Sequence, residues 1–202
     1  MTPADSSHAM VVMAGTLAER AHAAEVFAGW HEFYLLAGTA AVTLVGLLFV
    51  SLSFNLDVLL HESRIHLLAH ARSTLLNFTY ILVISLGFLI PNQSVPMLAT
   101  LIGTASAVVG TIHVITSRAP RGRTITTFER SMRRRGRIYT VCYAITLLTA
   151  IAMIGTRTPE LVYNMIGVIC ALLGNAMGMA WDLLVEVGKL KREMAKETVE
   201  QK

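Results

Sequence analysis

Four side chains of metal-ligand type between residues 61 and 70 are the first candidates for chemistry. They are His61, Glu62, His66 and His70, and the last three recur at every fourth position. On a helix this spacing places them on one face, where imidazole and carboxylate groups could serve as Zn²⁺ ligands. However, the order differs from the His-Glu-x-x-His pattern of zinc proteases, and no fourth ligand is in view. We therefore predict an interfacial helix with titratable surface residues, and no metal or other cofactor.

The remaining reactive residue types lack the partners that catalysis requires. His113 stands alone on its predicted helix, which favours a hydrogen-bonded interfacial histidine over a proton relay. Neither a Gly-x-Ser-x-Gly elbow nor a Cys-x-x-Cys pair is present. Cys142 and Cys170 fall inside apolar runs, where we expect small buried side chains rather than a disulfide. These observations predict a protein that is not an enzyme.

The composition is that of a membrane protein. Of the 202 residues, 54% are hydrophobic and only 15% are charged, whereas soluble domains carry about 25% charged residues. Five windows approach the roughly 20 apolar residues that cross a bilayer. A lone strand in lipid would leave its backbone groups unpaired, so each window predicts a helix. The windows cover residues 33–56, 73–90, 97–117, 138–155 and 161–185, with turn-forming sequences at 91–96 and 155–160.

The basic residues predict the orientation. Eight arginines lie in one connection, at positions 118, 121, 123, 130, 133, 134, 135 and 137. Such a segment resists translocation, so we place it in the cytoplasm. With five spans, all basic residues except Arg20 and Arg157 then lie inside. Because the 73–90 and 138–155 windows are short, four spans are an alternative, but the charge distribution and the two turns favour five.

The predicted fold is therefore all-α, a single polytopic membrane domain of five transmembrane helices with its N-terminus outside and its C-terminus inside. Residues 1–32 form an external segment, residues 118–137 a basic cytoplasmic loop and residues 186–202 a cytoplasmic tail. Arginines at i, i+3, i+4 and i+7 share one face, and we expect them to contact anionic lipid headgroups of the inner leaflet. They are Arg130, Arg133, Arg134 and Arg137. With few aromatic residues nearby for base stacking, nucleic acid is not expected as a partner.

Small and polar residues recur along one side of the predicted helices. Amides have no partner in lipid, and small residues allow backbones to approach closely, so these sides are expected to avoid lipid. The candidate polar stripe comprises Thr39, Thr43, Asp57, Asn77, Asn164, Asn175 and Asp182. Packing between helices is the favoured interpretation. The alternative is a pore lining in an oligomer, with Asp57, Asp182 or Glu186 at its inner mouth.

The first predicted helix also carries a family resemblance. From Gly38 to Ser53 it follows the pattern Gly-x-x-Ala-x-x-Leu-x-Gly-Leu-x-Phe-Val-x-x-Ser. This resembles a widespread group of uncharacterised bacterial multi-pass inner-membrane proteins. The Leu-Ile-Pro turn before Gln93 and the Ala-Trp-Asp-Leu sequence from Ala180 are similar to that group too, although Met179 stands where the group usually has asparagine. The resemblance implies a multi-pass protein of the bacterial cytoplasmic membrane, without a mechanism.

Three functions remain open from the sequence. The favoured one is a non-catalytic helical-bundle module that acts by self-association or with a membrane partner. The second is an oligomeric channel or small transporter lined by the threonine and asparagine stripes. The third is a lipid-modifying enzyme at the inner interface, using His61, His66, His70 and His113.

Overall fold

A computed structural model describes residues 3–54, 65–91, 93–118 and 127–200 of the protein. Their regular structure is entirely helical, which confirms the all-α prediction. The helices are α1 (Pro3–Gly29), α2 (His31–Phe54), α3 (Ile65–Leu89), α4 (Val95–Arg118), α5 (Thr127–Thr156) and α6 (Tyr163–Glu200), with a 3₁₀ turn at Pro159–Val162 before α6. Helices α2 to α6 are each long and apolar enough to cross a membrane, in agreement with the five predicted spans.

The helices extend beyond the predicted apolar windows. Helix α3 begins at Ile65, α5 begins at Thr127, and α6 continues to Glu200. The second half of the expected basic loop is therefore helix, as is most of the expected tail. Arginine, lysine and glutamate are good helix formers, so a helix need not end where its apolar part ends. Asp57, His61 and Glu62 lie outside the described residues.

Short turns close the bundle at one end. The side-chain amide of Gln93 donates to the carbonyls of Gly87 and Ile90, two of the acceptors left open where α3 finishes. At the end of α5, Arg157 adopts a φ of 55°, and its N–H donates to the Met153 carbonyl at 3.0 Å. This left-handed residue ends the helix and turns the chain towards Pro159. We call this side of the molecule the α1 end, and the opposite side the Arg135 end.

Helix α3 lies at the centre of the bundle and packs against α2, α4 and α6, while α4 packs along α5 and α5 along α6. Glycines allow the closest approaches. A Cβ added to Gly38 of α2 would lie 3.0 Å from the Ser85 Cβ of α3. One added to Gly103 of α4 would lie 3.3 Å from the Ala150 Cβ of α5. Small residues thus let these antiparallel pairs pack backbone against backbone, as membrane helices commonly do.

Helix α5 separates its two sides clearly. Cys142, Thr146 and Thr149, the residues that align along one side in the sequence, are buried in the bundle. The opposite side is exposed and apolar along its length, with Val141, Ile145, Leu148, Ile151 and Ile154. This side has the character of a lipid-facing surface.

Among the described side chains of α1, those of the final turns contact the bundle. Ala23 is buried, and the Phe27 ring meets Phe88 edge to face at a centroid distance of 6.3 Å. The Nε2 of His22 lies 2.7 Å from a carboxylate oxygen of Glu160. Residues 13–22 are otherwise exposed, so α1 extends away from the bundle.

Candidate functional site

A buried polar group, which we call the inner cluster, joins α3, α4 and α5. It consists of Asn77, Tyr80, Ser106 and Tyr143. The Tyr143 hydroxyl donates to Oδ1 of Asn77 at 2.5 Å, and the Asn77 amide donates to the Ser73 carbonyl at 2.8 Å. The Tyr80 and Tyr143 rings meet edge to face at 5.0 Å. The Asn77 side chain therefore has protein partners for both its oxygen and its nitrogen.

The second bond of the inner cluster has a definite direction. The Ser106 hydroxyl donates its single hydrogen to the Ile102 carbonyl at 2.6 Å. The Tyr80 hydroxyl lies 2.9 Å from Ser106, and this arrangement suits the tyrosine as donor because the serine hydrogen is directed to Ile102. The sequence indicated Asn77, a member of the predicted polar stripe, as a residue that needs a protein partner. It did not indicate Tyr143 as the partner, because no pattern along α5 distinguishes that tyrosine from a core aromatic.

A second group, the Arg135 clamp, joins α5 to α6 and consists of Arg135, Asn175, Gly178 and Asp182. Nε of Arg135 lies 3.1 Å from Oδ2 of Asp182. The Asn175 amide donates to the backbone carbonyl of Arg135 at 3.0 Å. A Cβ added to Gly178 would lie 2.2 Å from Nη1 of the guanidinium. Two residues of the predicted stripe, Asn175 and Asp182, thus come together around an arginine that the sequence grouped with the loop.

His113 lies close to both groups. Its Nε2 is 3.0 Å from the Gly136 carbonyl, so this nitrogen carries the hydrogen and donates it. Its ring also meets Tyr139 edge to face, with centroids 5.7 Å apart. This geometry agrees with the hydrogen-bonded histidine expected from the sequence.

Other members of the predicted stripe lie apart from these groups. Thr39 and Thr43 are exposed on α2, and each hydroxyl donates to the carbonyl four residues earlier, at 2.8 and 2.9 Å. Asn164 is exposed on α6. The three stripe residues of α6 are therefore divided, because Asn175 and Asp182 face α5 whereas Asn164 faces outward. The sequence could not show this division, because both parts of the stripe carry similar residues.

Side chains are described for only some of the remaining predicted site residues. Arg134 and Arg137 are exposed at the Arg135 end. Arg130 and Arg133 belong to the same helix, and their backbone positions share a face with Arg134 and Arg137. His70 is buried on α3. Within the described part of the chain, no three histidine, cysteine or carboxylate side chains are grouped so as to hold a metal ion.

No family model, no curated protein and no solved structure matches the chain.

Proposed function

We propose that this chain is a non-catalytic membrane module of the bacterial cytoplasmic membrane that acts by self-association. The proposal rests on one observation: the bundle leaves two faces of small and polar residues uncovered. The α2 face comprises Thr39, Thr43, Gly46 and Ser53, and the α6 face comprises Asn164, Gly167, Ala171 and Gly174, all of which are exposed. Apart from the neighbouring backbone of the same helix, no described atom lies within 4 Å of a Cβ added to Gly46, Gly167 or Gly174.

The spacing of both faces suits helix pairing. On α2 the steps between positions 39, 43, 46 and 53 fit an average repeat of 3.5 residues, and positions 164, 167, 171 and 174 on α6 follow the same repeat. This repeat keeps one face against a neighbouring helix in a left-handed crossing. Small residues favour such contacts in lipid, because van der Waals packing drives the association. The α2 hydroxyls donate within their own helix, so packing them against a partner leaves no donor unpaired.

Cysteine cross-linking tests the proposal without introducing a new residue. Cys170 is exposed on α6 beside the α6 face, whereas Cys142 is buried. In native membranes, a short thiol-reactive cross-linker should convert a substantial part of the chain to dimer through Cys170. The dimer should disappear in Cys170→Ala and persist in Cys142→Ala. Only monomers at native expression, in blue-native sizing as well as cross-linking, would contradict the proposal.

Bulky substitutions identify which face associates. Gly46→Leu and Gly174→Leu each add a branched side chain to an uncovered face, so at least one should lower the dimer fraction. Ala144→Leu is the matched control, since Ala144 is exposed among the apolar residues of α5. An equal loss of dimer in the control would indicate a general effect of added bulk and would count against both faces.

The channel and enzyme alternatives have less support. Asn77, Asn175 and Asp182 bond to other residues within the bundle. Those contacts are what helix packing requires, and none of them favours a pore lining. The proposed resemblance to the bacterial membrane-protein group likewise concerns packing residues of α2 and α6.

A further inference from the structure

Arg135 occupies the boundary between apolar and charged parts of the molecule. The apolar part of α5 that could cross a membrane begins at Arg134, so Arg135 lies in its first turn. One turn deeper, Tyr139 is fully buried. On α6, Trp181 is exposed next to Asp182, at a level where tryptophan is typical of the lipid–water interface. We therefore expect the guanidinium to lie at the depth of lipid headgroups.

Within the described part of the chain, most hydrogen-bond donors of this guanidinium have no acceptor. Arginine has five N–H donors, and the Nε–H of Arg135 is directed to Asp182. Among the described residues, none accepts a bond from Nη1 or Nη2. The side chains of Arg135 and Asp182 are 24% and 27% exposed, so the group lies partly at the surface of the bundle.

Three contacts hold the arginine in one geometry. Asp182 holds Nε, and Asn175 holds the backbone carbonyl of Arg135. The third contact is a slot at Gly178, where an added Cβ would lie 2.2 Å from Nη1 and 2.9 Å from Nη2. A guanidinium fixed in this way has already lost the side-chain freedom that binding would otherwise restrict.

We propose that the Nη edge of Arg135 binds the phosphate of a phospholipid headgroup. A planar guanidinium matches two phosphate oxygens with two parallel N–H donors, which a lysine ammonium cannot do. Asp182 orients the fork by holding Nε, and the exposed Arg134 and Arg137 on the same helix make the surroundings positive. An anionic phospholipid is therefore preferred over a zwitterionic one. This site is independent of the proposed self-association, because it involves neither uncovered face.

Thermal unfolding of the purified full chain in a neutral detergent tests the site. Three additions are compared: phosphatidylglycerol, phosphatidylcholine and inorganic phosphate. Phosphatidylglycerol should raise the unfolding temperature of the wild type more than phosphatidylcholine does, and inorganic phosphate should have little effect. In Arg135→Lys, which keeps the charge but loses the fork, the half-saturating phosphatidylglycerol concentration should rise about tenfold, as for loss of one charge-assisted hydrogen bond.

Matched variants separate a site from general charge. Gly178→Ala should weaken the lipid response as Arg135→Lys does, because the new methyl group displaces the guanidinium. Gly188→Ala, further along α6 in open space and outside the α6 face, should respond like the wild type. Arg134→Lys should also retain the response. Each response is measured against the same variant without lipid, so a change in basal stability does not obscure it.

Three results would overturn the inference. The first is a full lipid response in Arg135→Lys. The second is an equal loss in Arg134→Lys, which would indicate diffuse surface attraction. The third is a response to inorganic phosphate as large as that to phosphatidylglycerol, which would assign the site to free phosphate and not to a lipid.

Discussion

The sequence shows which polar residues in the apolar windows need a protein partner. It does not show which residue that partner is. Asn175 and Asp182 carry groups that lipid cannot satisfy, so a protein contact was expected for both. Their shared partner, Arg135, lies 40 and 47 positions away on another helix. In the sequence it is one of eight arginines in a single connection. Because α5 already begins at Thr127, Arg135 belongs to a helix and not to a loop. The helix places its side chain against α6.

The inner cluster yields a prediction at the residue scale. Tyr143→Phe and Asn77→Leu should each destabilise the protein by about 0.6–1.7 kcal/mol, the range for hydrogen bonds between membrane helices. The double variant should lose less than the sum of the two, because both single changes remove the same bond. Unfolding in detergent with a double-mutant cycle measures this coupling. Tyr163→Phe, at an exposed tyrosine, is the control and should have little effect.

At the scale of elements, α1 departs most from expectation. The sequence indicated an external segment without a span, and the described residues form a helix from Pro3 to Gly29 that is not among the five candidate spans. The apolar run of α1 is too short to cross a membrane, so its hydropathy does not indicate a span. Its alanines nevertheless favour helix formation, since alanine has the highest helix propensity. Among its described side chains, His22, Ala23 and Phe27 hold it against the bundle.

The docking of α1 can be tested by hydrogen–deuterium exchange over residues 20–29. Phe27→Ala should speed exchange there, because it removes an edge-to-face aromatic pair of about 0.5–1.5 kcal/mol in addition to apolar burial. Glu160→Gln should have a smaller effect in the same direction, because its partner His22 is exposed and water competes for the bond. Glu19→Gln, an exposed change on the same helix, should leave exchange unaltered. Unchanged exchange in Phe27→Ala would show that α1 is held by other contacts.

For the whole molecule, the all-helical class and the number of candidate membrane spans were predictable, whereas the arrangement of the helices was not. Long apolar windows require helices, and the two turns with proline separate them, so five spans follow from physical constraints. The position of α3 at the centre does not. A polar side of a helix looks the same in sequence whether a neighbouring helix covers it, as with Asn77, or nothing in the bundle does, as with Thr43.

The proposed orientation, with the N-terminus outside and the C-terminus inside, is a prediction at the same scale. In a background without Cys142 and Cys170, single cysteines would replace Gly15 of α1 and Lys191 of α6, both exposed. A membrane-impermeant maleimide should label Gly15→Cys on intact cells. It should label Lys191→Cys only after the membrane is made permeable. The reverse pattern would contradict the orientation that the basic residues predict.

The central place of α3 has a consequence for how the protein is made. Of the five candidate spans it is the least apolar and the most enclosed by the others. Asn77 bonds to Tyr143, a residue 66 positions later in the chain. At a synthesis rate of about 5–20 residues per second, roughly 3–13 s pass before that tyrosine exists. During this interval α3 exists without the hydroxyl that bonds to Oδ1 of Asn77, although the amide nitrogen has its partner within α3. We therefore expect α3 to reach its final packing only after α5 has been made.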